Sequence, residues 1–536
     1  MNANDTHACT LCGRKDFLTG LFGAAALAGV ASEALADFYG ALPKPTPAGT
    51  IPDKTGAVKV RLVFSLFDEV QVRKTWPRVG FDFRPVLKNV TDALNAGVKD
   101  VLFVPGCAYD KKTVAALLAE DAKVGDVAGY LVIQMNSWPA AADEIAVQTD
   151  KPLLFCSFPY SGIGGWCKTN AALLRQGRKN YAFLSSLDFA DTVGVARAFA
   201  VLKSGSGADF VKAATDYRLA HTPKSYAKLA PKEGELKCLS PEETLKRLKG
   251  VKILALERPS QSFTPKDNMA EDFGVVVEDV SFKELDDAWA ACTETRAKPL
   301  FDEWKDKANK IVGVDDATLM GCARMYFAME DVLKVHKAQA ITIDCLGGCY
   351  AGKLHSYPCL GFMELQDHGL VGACESDLGS TLTMLVMSAM TGGRMGYISD
   401  PAIDSSRRAI VYAHCVSTRR FLGPGSKKSP FEILTHAEDQ EGASVRAIAP
   451  TGYPVTTLEI CPLRKSIVLS SAFVFDNDSD DRACRTKIVC EVRGDFERIY
   501  RQWDVYGWHR VTVYGDCRRA VEALAKHLGY HIDYES

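Results

Sequence analysis

The sequence predicts an α/β protein: two doubly wound parallel-sheet domains followed by a mostly antiparallel β C-terminal domain. Three observations carry that reading. Short, near-continuous apolar runs alternate with helix-like segments as far as about residue 235, the signature of strands buried on both faces of a parallel sheet. The alternation restarts after "SPEETLKRLKG" and continues to about residue 405. Beyond Ser399-Asp400-Pro401 the strands follow one another with turns and no intervening helices, which indicates an antiparallel sheet or small barrel. At 536 residues the chain is too long for one core, so several domains are required in any case.

The N-terminus stands apart. "GRKDFLTGLFGAAALAGVASEALA" has Arg14 and Lys15, then Phe17 and Leu18, an alanine-rich weakly apolar stretch, and the small-x-small pattern Ala34-Leu35-Ala36. It resembles a twin-arginine export signal with lysine in the second basic position, so residues 1–36 are expected to be a cleaved leader and the mature protein periplasmic or secreted, or cytoplasmic if the leader does not function. An amphipathic helix or uncleaved anchor is the alternative. Residues 37–56, rich in proline, read as a linker.

The first domain, residues 57–235, contains "KVRLVFSLF", "DVLFVPG", "YLVIQM", "KPLLFCSF" and "NYAFLSSL" as strands. Its "SGIGGW" lacks the spacing of a dinucleotide fingerprint and reads as a turn. The second, 236–405, opens with Ser240 as N-cap, Pro241 at the first helical position and Glu243 completing a capping box. It continues through "VKILALE", "GVVVEDVSF" and "AITIDCL". Residues 406–536 supply "AIVYAHCVS", "SVRAIAP", "PVTTLEI", "SIVLSSAFVF" and "TKIVCEVRG", then a closing helix ended by Gly529.

Lys+Arg 64 against Asp+Glu 66 leaves no basic surface excess, and no run interleaves basic and aromatic residues, so nucleic acid is excluded as a partner class. No stretch after Ala36 approaches the roughly 18 apolar residues of a spanning helix, so stable membrane insertion after leader removal is not expected. Seventeen cysteines, an odd number scattered through strands and helices, do not make a disulfide framework. Cys345, Cys349, Cys359 and Cys374 could form a thiolate site, but buried free thiols more often act as small hydrophobes.

The stretch "PCLGFMELQDHGLVGACESDLGSTLTMLVMSAMTGG" carries the chemistry. Residues 378–390 are apolar or small on every side, so that helix is buried and its first turn lies at the lip of a cleft. Asp377 sits at its N-terminus, where unpaired amides favour a carboxylate; a simple cap would suffice to explain it. Glu364 follows the buried strand "AITIDCL", and open α/β sheets bind ligands outside such strand ends. Two carboxylates converging there would repel unless a cation lay between them. Oxygen donors favour manganese, magnesium, iron or cobalt over thiolate-loving zinc.

"YPCLGFMEL", "ACESDLGSTLTMLVMSAMTGGRMGYISDP" and "WHRVTVYGD" resemble the catalytic segments of the L-fucose isomerase and L-arabinose isomerase superfamily, in its fucose isomerase-like branch. The resemblance implies Glu364, Asp377 and His509 as ligands of Mn²⁺ or another divalent metal. It implies a free-sugar substrate resembling fucose or arabinose, no organic cofactor, and a homo-oligomer. The reaction would pass through a cis-enediol, with Glu364 and Asp377 moving the proton between C1 and C2. His414 and His436 fall in similar segments as candidate substrate contacts. Trp76 and Arg78, in "WPRVGFDFRP", could stack on a sugar face and bind hydroxyls, with a structural turn as the alternative. His355 is as readily a polar loop residue, and His527 a packing or surface residue. Two other functions fit the same residues: an exported sugar-binding protein without turnover, and a metal-dependent aldolase or epimerase using the same enediolate.

Overall fold

A computed structural model of the chain describes residues 51–257 and 264–536. The expected leader, with Cys9 and Cys12, and most of the expected linker lie outside the described residues. The first sheet contains β1 (Val58–Ser65), β2 (Val101–Ala108), β3 (Val127–Gln134), β4 (Leu153–Ser157) and β5 (Tyr181–Leu184). All are parallel, in the order β2-β1-β3-β4-β5. From β1 the chain goes to one neighbour and then returns to the other, so the loops after β1 and β3 diverge and leave a crevice at the carboxyl edge.

The second sheet is built the same way. It contains β6 (Lys252–Leu256), β7 (Val276–Val280), β9 (Ala340–Ile343) and β10 (Val371–Cys374), parallel and ordered β10-β9-β6-β7. The intervening β8 (Ile311–Val312) leaves this sheet and pairs with β13 (Phe431–Leu434), which also pairs with β14 (Ser444–Ala447).

The remaining strands are β11 (Tyr397–Asp404), β12 (Ala409–His414), β15 (Tyr453–Cys461), β16 (Ser466–Asn477), β17 (Thr486–Val492), β18 (Arg510–Tyr514) and β19 (His531–Tyr534). They run in the order β15-β18-β11-β12-β17-β16-β19, and pairing of β15 with β16 closes the first six into an antiparallel barrel. Closure removes the free edges that an open sheet would expose. β11 belongs to this barrel, so the barrel's strands start at Tyr397, ahead of the Ser399-Asp400-Pro401 break in the sequence pattern. It pairs with β18 through Tyr397–Ser399 and with β12 through Asp400–Asp404. Pro401, which has no N–H to give a ladder, falls where the β18 pairing has ended.

The three bodies share packed seams. Trp166, fully buried on the helix Ile163–Arg175, stacks near Phe155 and meets Tyr500 edge-on with centroids 6.1 Å apart. The Ser185 hydroxyl at the end of β5 donates to the Ile403 carbonyl in the barrel at 2.7 Å. Among the described residues no helix is long and apolar enough to cross a membrane.

The same helix fixes the loop after β3. A Cβ at Gly165 would overlap the Ser137 carbonyl, and one at Gly164 would overlap the Trp508 ring. Because the obstacle at Gly165 is backbone, Gly165→Ala is expected to lower unfolding free energy by about 1–3 kcal/mol, the usual cost of overpacking. An unchanged midpoint in chemical denaturation would show that the loop after β3 is not held by this contact.

Candidate active site

A cavity of about 200 Å³ opens where the carboxyl edges of both parallel sheets face the barrel. The loop after β1 contributes Arg73, Lys74 and Trp76, and the loop after β3 contributes Trp138. Glu375 comes from the end of β10, Asp400 from β11, and His436 and Glu438 from the loop after β13. Trp138 stacks on Trp508 with centroids 5.0 Å apart and planes 20° apart, and it remains 63% exposed. The pair forms an indole wall at the cavity mouth, a surface suited to the C–H face of a sugar ring.

The floor is acidic and imidazole-rich. Asp400, His414 and His509 come from three adjacent strands, with Asp400 opposite Ala413 on β12 and Ser399 opposite Arg510 on β18. The ligand atoms of Asp400, His414 and His509 all lie within 4.8 Å of one another. Asp400 Oδ1 is 3.4 Å and Glu375 Oε2 3.5 Å from His509 Nε2, and Glu375 Oε1 is 3.9 Å from His414 Nε2. Neither Nε2 atom makes a hydrogen bond, although both are buried. An orphaned buried imidazole nitrogen is costly unless a ligand meets it.

Backbone strain aims Glu375 at this point. Glu375 and Ser376 both take left-handed backbone, φ 63° and 50°, at the step from β10 into the buried helix Leu378–Met390. Each such residue costs on the order of 1–3 kcal/mol and persists where neighbours over-determine it. Here Ser376 N–H donates to Ile343 O at 3.0 Å and its hydroxyl donates to Leu256 O at 2.9 Å, pinning the turn across β9 and β6. Glu375 keeps 31% of its side chain accessible because it faces the cavity.

Asp377 serves the other side of His509. Its Oδ1 accepts the Ser380 amide at 3.0 Å, capping the buried helix, and its Oδ2 accepts from His509 Nδ1 at 2.9 Å. Burial pushes the Asp377 carboxyl up, but the His509 hydrogen bond and charge, with Ser380, bring it below the ordinary carboxylate range. Burial raises Glu375, partly opposed by His509. Burial opposes the His509 charge, yet Asp377, Asp400 and Glu375 together hold its pKa well above the usual histidine value.

The two imidazoles are set differently. Nδ1 of His509 is tied to a carboxylate, which leaves Nε2 as the nitrogen that presents a lone pair to a metal. Nδ1 of His414 accepts the Cys415 amide at 3.0 Å, so a neutral His414 carries its proton on Nε2 and faces the carboxylates as a donor. Glu375, Asp400 and His509 therefore form an oxygen, oxygen, nitrogen set fitting a hard or borderline divalent cation. His414 stands beside it.

Glu364 lies elsewhere. It sits inside the helix Cys359–Asp367, 1% exposed, where Trp304 Nε1 donates to its Oε1 at 2.8 Å and Arg419 pairs with the same oxygen. Arg419 also binds Asp367 at 2.7 Å, and Lys428 lies 3.7 Å from Glu364. The expected meeting of Glu364 with Asp377 and His509 does not occur: a guanidinium from the barrel already supplies the counter-charge that the sequence argument asked of a metal. Asp377 and His509 do meet, through Nδ1.

Of the other expected contacts, His436 and Trp76 line the cavity, and Arg78 is not among its lining residues. His436 Nδ1 is 3.2 Å from Asp439 Oδ1. His414 is buried beside Glu375 and Asp400 and, like Arg78, is not among the lining residues. His355 stacks on Trp289 and bonds Asp286 away from the cavity, and His527 pairs with Glu242 at 3.2 Å. Cys345 and Cys374 lie with Sγ atoms 3.0 Å apart, as do Cys415 and Cys484 at 3.2 Å, all buried. His414 also comes within reach of Cys415 and Cys484. Glu375, Asp400 and Glu438 line the cavity, and sequence reasoning singles out none of the three. The available signal for Asp400 is an acidic residue inside "YISDPAID", a strand whose every position is buried.

No protein-family model matches the chain. Its distant relatives are sulfoquinovose isomerases. It is 23% identical over 302 residues to the sulfoquinovose isomerase of Clostridium sp. (strain MSTE9), covering 53% of this chain and 65% of the relative. It is 24% identical over 177 residues to that of Alkalicoccus urumqiensis, covering 32% and 40%, and 22% identical over 135 residues to that of Priestia aryabhattai, covering 25% and 30%. The matched region spans less than two thirds of each relative.

Two substitutions separate the clusters. Asp377→Asn is expected to weaken Mn²⁺ binding by about 10–100-fold, as loss of a carboxylate behind a ligating histidine does. Calorimetric titration reads it, and unchanged affinity would remove Asp377 from the site. Glu364→Gln is expected to leave Mn²⁺ affinity intact while destabilising the fold by about 3–5 kcal/mol, the cost of breaking a buried ion pair. Denaturant unfolding reads that loss.

Proposed function

We propose that the protein is a divalent-metal-dependent aldose–ketose isomerase acting on a sugar. The observation that carries this reading is that Glu375 and Asp400 line one cavity at the carboxyl edges of two parallel sheets while both approach His509 Nε2, at 3.5 and 3.4 Å, with His414 beside them. Glu375, Asp400 and His509 would hold the metal, with Mn²⁺ favoured by the donor set. When bound, a divalent cation would polarise the sugar oxygens on C1 and C2 and make the C2 proton more acidic.

The protein groups divide the remaining work. Asp377 fixes the His509 ring, and the strained Glu375 turn delivers a carboxylate to the cavity as the candidate base for the C2 proton. The His414 Nε2–H, 3.9 Å from Glu375 Oε1, would steady that carboxylate from behind. Trp76, Trp138 and Trp508 form apolar walls that position the ring and exclude water. The names of the distant relatives support an isomerase over a binding protein that uses the same cleft without turnover.

The substrate reading we favour is an anionic sugar. Arg73 lines the cavity, lies over the Phe67 ring at 4.0 Å, and forms no salt bridge among the described residues. Lys74 lies beside it, 4.5 Å over the Tyr350 ring and 3.7 Å from Asp439. A sulfonate, as sulfoquinovose carries, is an acceptor matched to such a pair. Export through residues 1–36 and homo-oligomer formation remain proposals from sequence.

Mn²⁺-loaded protein, offered sulfoquinovose and a panel of neutral aldoses in D₂O, is expected to exchange the C2 proton of at least one sugar by proton NMR, and Glu375→Gln to abolish that exchange. Binding without exchange on any sugar would replace isomerase with binding protein. Arg73→Ala is expected to raise KM for sulfoquinovose by about tenfold, the order of one charged hydrogen bond, with neutral sugars unaffected. An equal change for both would remove the anion subsite.

A further inference from the structure

Isomerisation moves two protons, and the floor accounts for one of them. Converting an aldose to a ketose takes a hydrogen from C2 to C1, and it also takes the hydroxyl hydrogen from O2 to O1. Glu375 is the candidate for the carbon-bound proton. A second group must face the cavity, give a proton to one sugar oxygen and accept one from the other.

Glu438 has the required setting. It lines the same cavity as Glu375, from the loop after β13. The Val79 amide donates to the Glu438 carbonyl at 2.7 Å, fixing the backbone of that loop to the first domain. Tyr350 Oη donates to Oε2 at 2.6 Å, and Oε1 has no hydrogen-bond partner among the described residues. Lys74 covers the Tyr350 ring, and Tyr350 meets His436 edge-on with centroids 6.3 Å apart. The hydroxyl therefore orients one carboxyl oxygen and leaves the other free. Burial pushes the carboxyl up to about 8, opposed by His436 and the Tyr350 hydrogen bond and reinforced by Glu375 and Cys415. That places its proton exchange near working pH, where a general acid–base group is most effective.

Resting on the isomerase reading, we propose that Glu438 is the acid–base residue that carries the hydroxyl proton between O2 and O1, held in position by Tyr350. In the aldose-to-ketose direction, a base removes the C2 proton and the C–H electrons form the C1=C2 bond. The C1=O1 electrons move to O1, which takes the proton of the Glu438 carboxyl. The resulting enediol then gives its O2 proton to the Glu438 carboxylate. The O2–H electrons form C2=O2, and the C1=C2 electrons take up the first proton at C1. Glu438 ends as it began, and no outside oxidant, reductant or proton source is consumed.

The test uses full-length Mn²⁺-loaded protein with sulfoquinovose, or with the sugar the wild type turns over best. Glu438→Gln is expected to lower kcat by about 10²–10⁴-fold, the range for one acid–base group, with KM and Mn²⁺ content unchanged. The wild-type rate is expected to fall as pH rises through the range where Glu438 loses its proton, and that limb should be missing in Glu438→Gln. The titratable groups acting on Glu438 are His436, Tyr350, Glu375, Cys415 and Cys484, with Asp439 next in the chain and Lys74 over the Tyr350 ring, so the limb is assigned by the variant and not by its position. Tyr350→Phe, which leaves the carboxyl in place and removes the bond favouring its charged form, is expected to move the limb to higher pH. An infrared carboxylic-acid band at neutral pH, lost in Glu438→Gln, is expected without any sugar. Wild-type kcat in Glu438→Gln, or a loss matched by lost Mn²⁺, overturns the Glu438 assignment and leaves the isomerase reading standing. No turnover by the wild type on any sugar overturns both.

Discussion

His509 is held between carboxylates, and the site depends on that arrangement. Asp377 grips Nδ1 at 2.9 Å while Asp400 and Glu375 face Nε2 at 3.4 and 3.5 Å. A ring in that position cannot rotate without losing a charge-assisted bond in a desolvated setting, where such bonds are strongest. Its orientation therefore fixes the only direction in which Nε2 can meet a cation. Asp377 can grip the ring because it caps the buried helix Leu378–Met390, so a secondary-structure signal and a ligand-orienting contact are one carboxylate. The helix cannot shift without moving His509, and the barrel strands that carry His509, Asp400 and His414 cannot shift relative to one another without breaking their ladder.

Two buried acidic clusters lie close to this helix in the sequence, and their contrast explains which can do chemistry. At Glu364 and Asp367 the counter-charge is the Arg419 guanidinium, always protonated and matched to carboxylates in a rigid fork. That cluster is closed on itself: Trp304 and Arg419 meet Glu364 Oε1, Arg419 meets Asp367, and both carboxyls are buried. At Glu375 and Asp400 the counter-charge is imidazole, which can give up its proton to a metal, and the carboxylates keep one face toward open space. Stability favours the first arrangement and reactivity needs the second.

That contrast also marks how far the sequence could be read. The two parallel sheets and the barrel were legible because apolar runs with and without intervening helices report layer architecture directly. Asp377 stands out in the sequence from the buried helix and His509 from resemblance, but as joint ligands with Glu364, whereas Asp377 in fact grips the Nδ1 of His509. Glu364 misled because a carboxylate after a buried strand reads the same whether its partner is a metal or an arginine; Arg419 lies 55 residues downstream and nothing local announces it. Glu375 was one place from Asp377, but only the left-handed turn at Glu375–Ser376 sends the first carboxylate to the cavity and the second behind the histidine. Asp400 was hidden by Pro401, which reads as the end of a segment when the strand in fact changes partner there.

The cavity's division of labour follows from its topology. The second sheet and barrel supply the carboxylates and imidazoles on rigid strands and strained turns, where positions are tightly set. The first domain supplies Arg73, Lys74, Trp76 and Trp138 on loops at its own switch point, where side chains can vary without disturbing the sheet. Reaction and recognition are thus carried by different bodies joined at the Trp166 and Ser185 seams. On the proposed isomerase reading, a change of substrate would call on the loops after β1 and β3, because proton transfer at C1 and C2 is indifferent to what the far end of the sugar carries. On the anionic-sugar reading proposed above, Arg73 and Lys74 on the first of those loops would make that choice.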